Sequence, residues 1–441
     1  MSDYMFMLES HLSPAQFRVV GEMQALAAEA GSNLFLTGGA MRDMLGGFPV
    51  RDLDFVIEAN ALKMAKVVEK QHGATIVSTD ELKKSAELRF AGGITAELAM
   101  ARQERYSKSG ARAQITPATI HEDLRGRDFT VNAIALSLNR ASLGLPIDPT
   151  NGVGDIERKE LRAIHNYAFY DDPSRMLRLM RFKVRLGYTI DERTKLQYEN
   201  AREAEMLTRI GPEALGAELR HIACEILVGD LMRALEEEKL VELYSPALVG
   251  AKLNLAVFTK LQKARQLVPV DFRLQSLPLF LHVLMEKLNA KERLALIKAT
   301  ALSRAETTAC QKIESAAKKL ERDLKAAKLQ KPSHLYQALI KAPGELVLFL
   351  LVYSEQRLVQ DRIRNYFQKY LPASLEITDE LVAASVGAGG LAPGTPKFQR
   401  AKEEMILTRL DARPKKPAPE PEPPPPPPMS SFARGPVRHQ R

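Results

Sequence analysis

Apolar residues recur along this chain with two periods, and the change between them divides it. Near the N-terminus, Phe17, Val20, Met23, Leu26 and Ala27 stand at helical spacing and predict a helix from Ser13-Pro14 to about Ala30, closed by Gly31. Leu34-Phe35-Leu36 is a short apolar run ending at Gly38-Gly39, and Asp52-Leu53-Asp54-Phe55-Val56 alternates polar with apolar; both predict strands. Ala61 to His72 is an amphipathic helix ended by Gly73. Thr75–Ser78, Ser85–Phe90 and Ile94–Ala99 predict three more strands, the last two joined as a hairpin through Gly92-Gly93. Beyond about residue 225 the period-two pattern is gone. Helices are predicted over Leu231–Tyr244, Val257–Leu267, Leu277–Leu288, Ala290–Thr300, Arg304–Leu329, His334–Lys341, Glu345–Ser354 and Gln356–Tyr370.

Length and charge narrow the class. The 441 residues suffice for several domains. A net charge of +9 favours an anionic partner such as RNA, against the plainer reading of a generally basic surface. Two distant cysteines, Cys224 and Cys310, offer neither a disulfide framework nor a zinc site and fit a reducing, cytoplasmic location. MSDYMFMLESHLS lacks the basic and apolar regions of a signal peptide, and runs such as Leu346–Tyr353 are too short to cross a membrane. The lysine-rich run from Lys312 to Lys331 is interleaved with acids and reads as a solvated helix rather than a phosphate rail. From Arg413 onward a tail with six consecutive prolines reads as extended low-complexity sequence.

The candidate chemistry lies in Leu34 to Glu58. Adjacent Gly38 and Gly39 let backbone N–H groups approach a phosphate, and Arg42, one helical turn on, adds charge to the same anion. Asp52 and Asp54 alternate on their strand and so share one face, where two carboxylates suit Mg2+. A glycine turn for phosphates beside a carboxylate pair for metal is what nucleotidyl transfer from a nucleoside triphosphate requires.

This stretch resembles the first motif of the class II tRNA nucleotidyltransferases and bacterial poly(A) polymerases, within the polymerase β-like superfamily. Three further stretches carry the resemblance. Glu97 falls where the family has a third acid. Arg127-Asp128-Phe129-Thr130-Val131-Asn132-Ala133 resembles the motif R-R-D-F-T-x-N-A, with Gly126 replacing its first arginine. Arg127 then implies a triphosphate contact, and Asp128 and Asn132 local structure. Asp171-Asp172-Pro173-Ser174-Arg175 resembles E-D-x-x-R, whose Asp and Arg act as a protein template for the incoming base. Asp172 and Arg175 take those places, with Arg178 and Arg181 toward the triphosphate or ribose. The hydrogen-bonding logic is general: a carboxylate accepts from the amino group of cytosine or adenine, and a guanidinium donates to the ring acceptor beside it. Uracil and guanine present the reverse and leave polar groups unpaired. The plainer readings make Asp172 the N-cap of a helix with Pro173 at its first position, and the arginines a solvated basic face.

The resemblance implies an α+β fold: a polymerase β-like nucleotidyltransferase head, a mixed sheet with flanking helices, followed by an elongated all-α neck, body and tail. The expected boundaries are a catalytic head over 1–148, a base-reading neck over 149–225, a helical body over 226–330, a tRNA-binding tail over 331–411 and the Pro-rich segment 412–441. Residues 102–117, basic and poor in apolar groups, are expected to form a mobile loop over the site, with Gly110 as a possible hinge. The implied activity is addition of C and A to the tRNA 3′ end from CTP and ATP, with Mg2+ as cofactor and the tRNA acceptor end as partner. The oligomeric state is open. Rivals sharing the head are an A-adding or CC-adding enzyme or a poly(A) polymerase. A non-catalytic RNA-binding protein and a transferase acting on small-molecule hydroxyls are rivals of other classes.

Overall fold

The computed structural model describes residues 3–106, 113–269, 272, 274–327, 329–386 and 395–412. The proposed hinge Gly110 and the tail from residue 413 lie outside them. The head begins with α1 (Asp3–His11) and α2 (Pro14–Glu29). Ser13 and Gln16 close a reciprocal capping box at the start of α2, satisfying two N–H groups that the helix leaves free. Then follow β1 (Leu34–Thr37), α3 (Gly38–Leu45), β2 (Leu53–Ile57), α4 (Ala61–His72), β3 (Thr75–Asp80), β4 (Ser85–Arg89), β5 (Thr95–Met100), β6 (Arg102–Arg105), β7 (Gln114–Pro117), α5 (Ile120–Arg125), β8 (Ala135–Ser137) and β9 (Pro146–Ile147).

Seven strands form one sheet in the order β3-β4-β5-β2-β1-β8-β9. The β2–β5 pair is parallel and the others antiparallel, so the sheet is mixed. Alternation along the strands feeds two cores. Leu34, Leu36, Leu53, Phe55 and Ile57 pack on one side with α2, α3 and α4. Phe35 and Val56 pack on the other with Ile120 and Leu124 of α5. Asp54 has the parity of Val56, so the strand period puts it on the α5 side.

The neck runs through α6 (Gly152–Arg158), β10 (Glu160–Leu161), α7 (Ala168–Asp171), α8 (Arg175–Leu186), β11 (Thr189–Ile190), α9 (Glu192–Glu203) and α10 (Pro212–Cys224). The short parallel pair β10–β11 was not legible in the sequence, because two-residue strands carry no period. The arm is helical: α11 (Val228–Glu237), α12 (Leu255–Arg265), α13 (Ser276–Met285), α14 (Ala290–Ala299), α15 (Arg304–Lys325), α16 (Pro332–Ile340), α17 (Gly344–Tyr353), α18 (Arg357–Asn365), α19 (Leu371–Leu375), α20 (Asp379–Val386) and α21 (Pro396–Asp411). A single π turn, Tyr366–Tyr370, joins α18 to α19. On α15, Cys310, Ile313, Ala317 and Leu324 face inward, while Lys318 pairs with Glu314 four residues back at 2.6 Å. That is the solvated, internally paired helix its mixed charges predict. Among the described residues no single helix is long and apolar enough to cross a membrane; α16 and α17 reach the composition only together and are bent by 113°.

One expectation and two of the plainer readings change. The segment expected to be a loop has strands for stems: β6 pairs antiparallel with β7, Arg102 opposite Pro117 and Arg105 opposite Gln114. A two-stranded ribbon held by backbone pairing, with its polar contacts running along β6, shows no apolar alternation, so its pattern reads as loop. The helix expected to start at Pro173 starts at Arg175, after a tight turn at Asp172-Pro173-Ser174. The arginines of α8 are not a solvated face, because Arg175 and Arg181 are buried against α10 and the head.

Candidate active site

The site is assembled at the end of β1 and the start of β2. Gly38 has φ of +63°, and a Cβ there would lie 2.9 Å from Arg127 Nη1 and 3.3 Å from Asp54 Oδ2. Only glycine lets the chain turn into α3 this close to an acid and a guanidinium. The Gly39 N–H donates to Asp54 Oδ2 at 3.0 Å and the Gly38 N–H to the Ile134 carbonyl at 3.2 Å. These N–H groups, expected to face a phosphate, are therefore engaged within the protein in this structure.

Asp54 lies half-buried on β2 and pairs in register with Glu97 on the parallel β5. Asp52 stands one residue before β2, exposed, and accepts from Thr95 Oγ1 at 2.9 Å. Burial, then the charges of Glu97 and Asp52, push the Asp54 carboxyl up from its ordinary 3.8 to about 7, outweighing Arg127 and the Gly39 N–H. Crowded carboxylates that resist ionising fit a hard divalent cation, which neutralises them with oxygen ligands. Among the described residues no group of three or more His, Cys, Asp or Glu closes into a ready-made cage. The acids suit an ion that keeps coordination positions for water and phosphate oxygens.

Arg127 is held beside Gly38. Its Nε and Nη2 donate to Asp123 Oδ1 at 3.1 and 3.0 Å, Nη2 also to Thr37 Oγ1 at 3.2 Å, and Nη1 to the Asn132 carbonyl at 3.2 Å. Arg42 is buried: Nε and Nη2 donate to Asp43 Oδ1 and Nη1 to Asn132 Oδ1 at 2.6 Å, with its guanidinium over the Phe182 ring. Asn132 in turn donates to Asp128 Oδ1 at 2.9 Å, and Asp128 also accepts from the Phe129 N–H and from Arg178 Nη1. Burial alone would raise the Asp128 carboxyl; Arg178, the Asn132 amide and Arg175 hold it at about 2. Asp128 and Asn132 are thus the joint between head and neck.

On the neck, Asp172 Oδ1 accepts from the N–H and Oγ of Ser174, which leaves Oδ2 toward Arg175 Nε at 3.9 Å. Arg175 Nη2 donates to the Gly126 carbonyl at 3.2 Å, while its Nε and Nη1 are buried without a hydrogen-bond partner. Buried guanidinium donors left open are costly unless a ligand takes them. Arg178 and Arg181 share Glu218 of α10 at 3.0 and 3.3 Å, and Arg181 also reaches Glu225 at 3.3 Å. Sequence reasoning missed Glu218, Glu225, Asp123 and Asp43. A buried acid is recognised by its partners, and apart from Arg42 beside Asp43 these lie 4 to 142 residues away along the chain.

One cavity of about 1200 Å3 is lined by Asp52, Asp54 and Glu97 and also by Arg127, Asp172 and Arg175. Ordinary ligand pockets run to roughly 300–1,000 Å3, so a nucleotide fits with space beside it. Arg102, Glu104 and Tyr106 of the ribbon complete its wall, tied together by Arg102–Glu104 at 2.9 Å and Tyr106–Glu104 at 2.7 Å.

The site thus combines a glycine turn, crowded acids on the central strands of a mixed sheet and a helical neck that closes one large cavity. Residues 34–162 match the family of the poly A polymerase head domain. It is 34% identical over 227 residues to an A-adding tRNA nucleotidyltransferase of Halalkalibacterium halodurans, covering 51% of this chain and 53% of that protein. It is 32% identical over 234 residues to an A-adding tRNA nucleotidyltransferase of Aquifex aeolicus, covering 53% of this chain and 28% of the relative. A CC-adding tRNA nucleotidyltransferase of Deinococcus radiodurans is 36% identical over 155 residues, 35% of this chain and 41% of that one. The alignments thus span about half or less of these relatives. A solved CCA-adding enzyme in an apo form superposes over 94% of this chain and 96% of its own, with TM-score 0.56 and 25% identity. Nucleotidyltransferases of this family generally use divalent metal ions.

Proposed function

We propose that the protein is a template-independent tRNA nucleotidyltransferase that adds C and A residues to the tRNA 3′ end from CTP and ATP, releasing pyrophosphate. The observation that carries the reading is the shared cavity: the acids of the head and the Asp172/Arg175 pair of the neck face one space. In the reaction the terminal 3′-hydroxyl attacks the α-phosphate, and the bond to the pyrophosphate leaving group breaks. Asp52 and Asp54, with Glu97 alongside, would hold Mg2+, which supplies charge neutralisation at the phosphates and acidifies the attacking hydroxyl. Gly38, Gly39, Arg42 and Arg127 form the wall along which the triphosphate lies. Arg127 faces the cavity directly; Arg42 acts by fixing Asn132, and through it the joint to Asp128 and Arg178.

The base is selected on the neck. Arg175 offers open donors to the ring acceptor of cytosine or adenine, and Asp172 accepts from the amino group. Uracil or guanine would set a carbonyl against a carboxylate and an N–H against a guanidinium, leaving buried groups unpaired. Arg178 and Arg181, paired with Glu218, brace the template from behind.

We assign catalysis to 1–148, base reading to 149–225 and the grip on tRNA to the helices of 226–330 and 331–411, in a cytoplasmic setting that suits the free Cys224 and Cys310. The test is incorporation by purified protein on tRNA ending before CCA, before CA or before A, with CTP and ATP singly and together. Extension of all three primers to CCA is expected. Extension only of the primer lacking the final A, or only up to CC, would make it an A-adding or CC-adding enzyme, and long A tracts a poly(A) polymerase.

A further inference from the structure

A second cavity of about 230 Å3 lies where head meets neck, lined by Phe48, Pro49, Arg51, Arg185, Glu225, Ile226 and Leu227. Arg51 and Arg185 also line the large cavity, so the two spaces share a wall. Arg51 immediately precedes Asp52 in the chain. Its side chain is 31% exposed, and its ion pair with Glu225 spans 3.8 Å, too long for a hydrogen bond.

The carboxylates around it are already shared. Glu225 is buried and also serves Arg181 at 3.3 Å, and Asp43 serves both Arg42 and Arg185 at 2.7 Å. Arg265, buried nearby, donates to the backbone carbonyls of Ala223 and Glu225. Guanidiniums therefore outnumber carboxylates at this junction, and burial together with the charge of Arg185 makes Arg51 easier to deprotonate than usual. An excess of partly buried cations is costly until an anion joins it. The rest of the lining is apolar, with the Phe48 ring held 6.4 Å from that of Tyr188. An aromatic wall beside a guanidinium pair suits a nucleotide, base on the ring and phosphate on the cations.

We propose that Arg51 and Arg185 take the phosphodiester next to the RNA 3′ end, with the adjoining base against Phe48 and Pro49. Such a site would set the chain end near Asp52, whose charge acts on Arg51. The proposal rests on the nucleotidyl-transfer reading for the identity of the RNA, so its test uses binding as well as activity.

The probe is an RNA minihelix with a single-stranded 3′ end, made with an ordinary linkage or one uncharged methylphosphonate between its last two nucleotides. With the full chain, the methylphosphonate is expected to weaken binding roughly tenfold, the loss of one charge-assisted contact. Arg51→Gln should bind the ordinary RNA roughly tenfold more weakly and be indifferent to the methylphosphonate. The KM for the nucleoside triphosphate should stay within twofold. Arg51→Lys, which keeps the charge without the fork, should restore part of the sensitivity. Equal methylphosphonate penalties in wild type and Arg51→Gln would overturn the proposal. So would a raised triphosphate KM with unchanged RNA binding, which would give the pair to the triphosphate. A wild type that binds with this pattern but transfers no nucleotide would keep the site and remove the transferase reading.

Discussion

Replacing Asp54 with Asn should stabilise the metal-free protein while abolishing transfer, and the size of the gain should depend on pH. The side chain is held between Glu97, Asp52 and the sheet, and its carboxyl titrates at about 7 rather than 3.8. The folded state therefore keeps a proton that the unfolded chain has released between those values. Stability must fall as pH rises through this window and level off above about 7. A shift of that size corresponds to roughly 4 kcal/mol at ~1.4 kcal/mol per unit. Asp54 opens onto a wide cavity, where solvent screening cuts the figure to about 2 kcal/mol. Asn keeps an oxygen for the Gly39 N–H but carries no charge at any pH, so it escapes the cost. The assay is thermal unfolding in chelator at pH 5 and pH 8.5. At pH 5, part of the way into that window, Asp54→Asn should lead the wild type by only about a third of its full advantage. At pH 8.5 the variant should melt about 4–8 °C higher, if the transition reports the head alone. Adding Mg2+ at pH 8.5 should raise the wild type toward the variant and leave the variant unmoved. A variant less stable than wild type at pH 8.5, or a gap that does not change with pH, would refute the picture of an acid cluster crowded for a cation.

Other predictions follow from the same geometry. Asp172→Ala should lower discrimination against UTP and GTP more than it raises the KM for CTP or ATP; single-nucleotide incorporation with each triphosphate measures this, and unchanged discrimination removes the template role. Glu218→Ala leaves Arg178 and Arg181 without their shared carboxylate and should cost about 3–5 kcal/mol in denaturant unfolding, as for other broken buried pairs. Because its partners hold the Glu218 carboxyl below its ordinary 4.5, this contribution is present above that value and is lost as pH falls below it. Gly216→Ala would put a Cβ 2.0 Å from the Thr300 carbonyl and force α10 away from the end of α14, at a cost of about 1–3 kcal/mol; a neutral substitution would mean the two helices yield there freely.

Much was readable from the chain alone, because it rests on local rules. The helix stop at Gly73, which adopts φ of +64°, follows from the glycine. The strand alternation at Asp52-Leu53-Asp54-Phe55 separates acids from core whatever the sheet around it does. The helical arm follows from a 3.6-residue period, and the solvated face of α15 from its mixed charges. Tertiary structure alone decided which polar groups meet. Nothing local pairs Arg185 with Asp43 142 residues away, or Arg178 with Glu218 40 residues on, and so a solvated face stayed open as the plainer reading of the α8 arginines. The parallel register that sets Glu97 beside Asp54 depends on how β2 and β5 align, which neither strand specifies by itself. The ribbon of β6 and β7 was hidden for the same reason: backbone pairing between two polar segments needs both present, and neither shows an apolar face. Side-chain periodicity records what a residue does for its own helix or strand, whereas the charge on Asp54 and the open donors of Arg175 are set by neighbours that only the folded chain brings near.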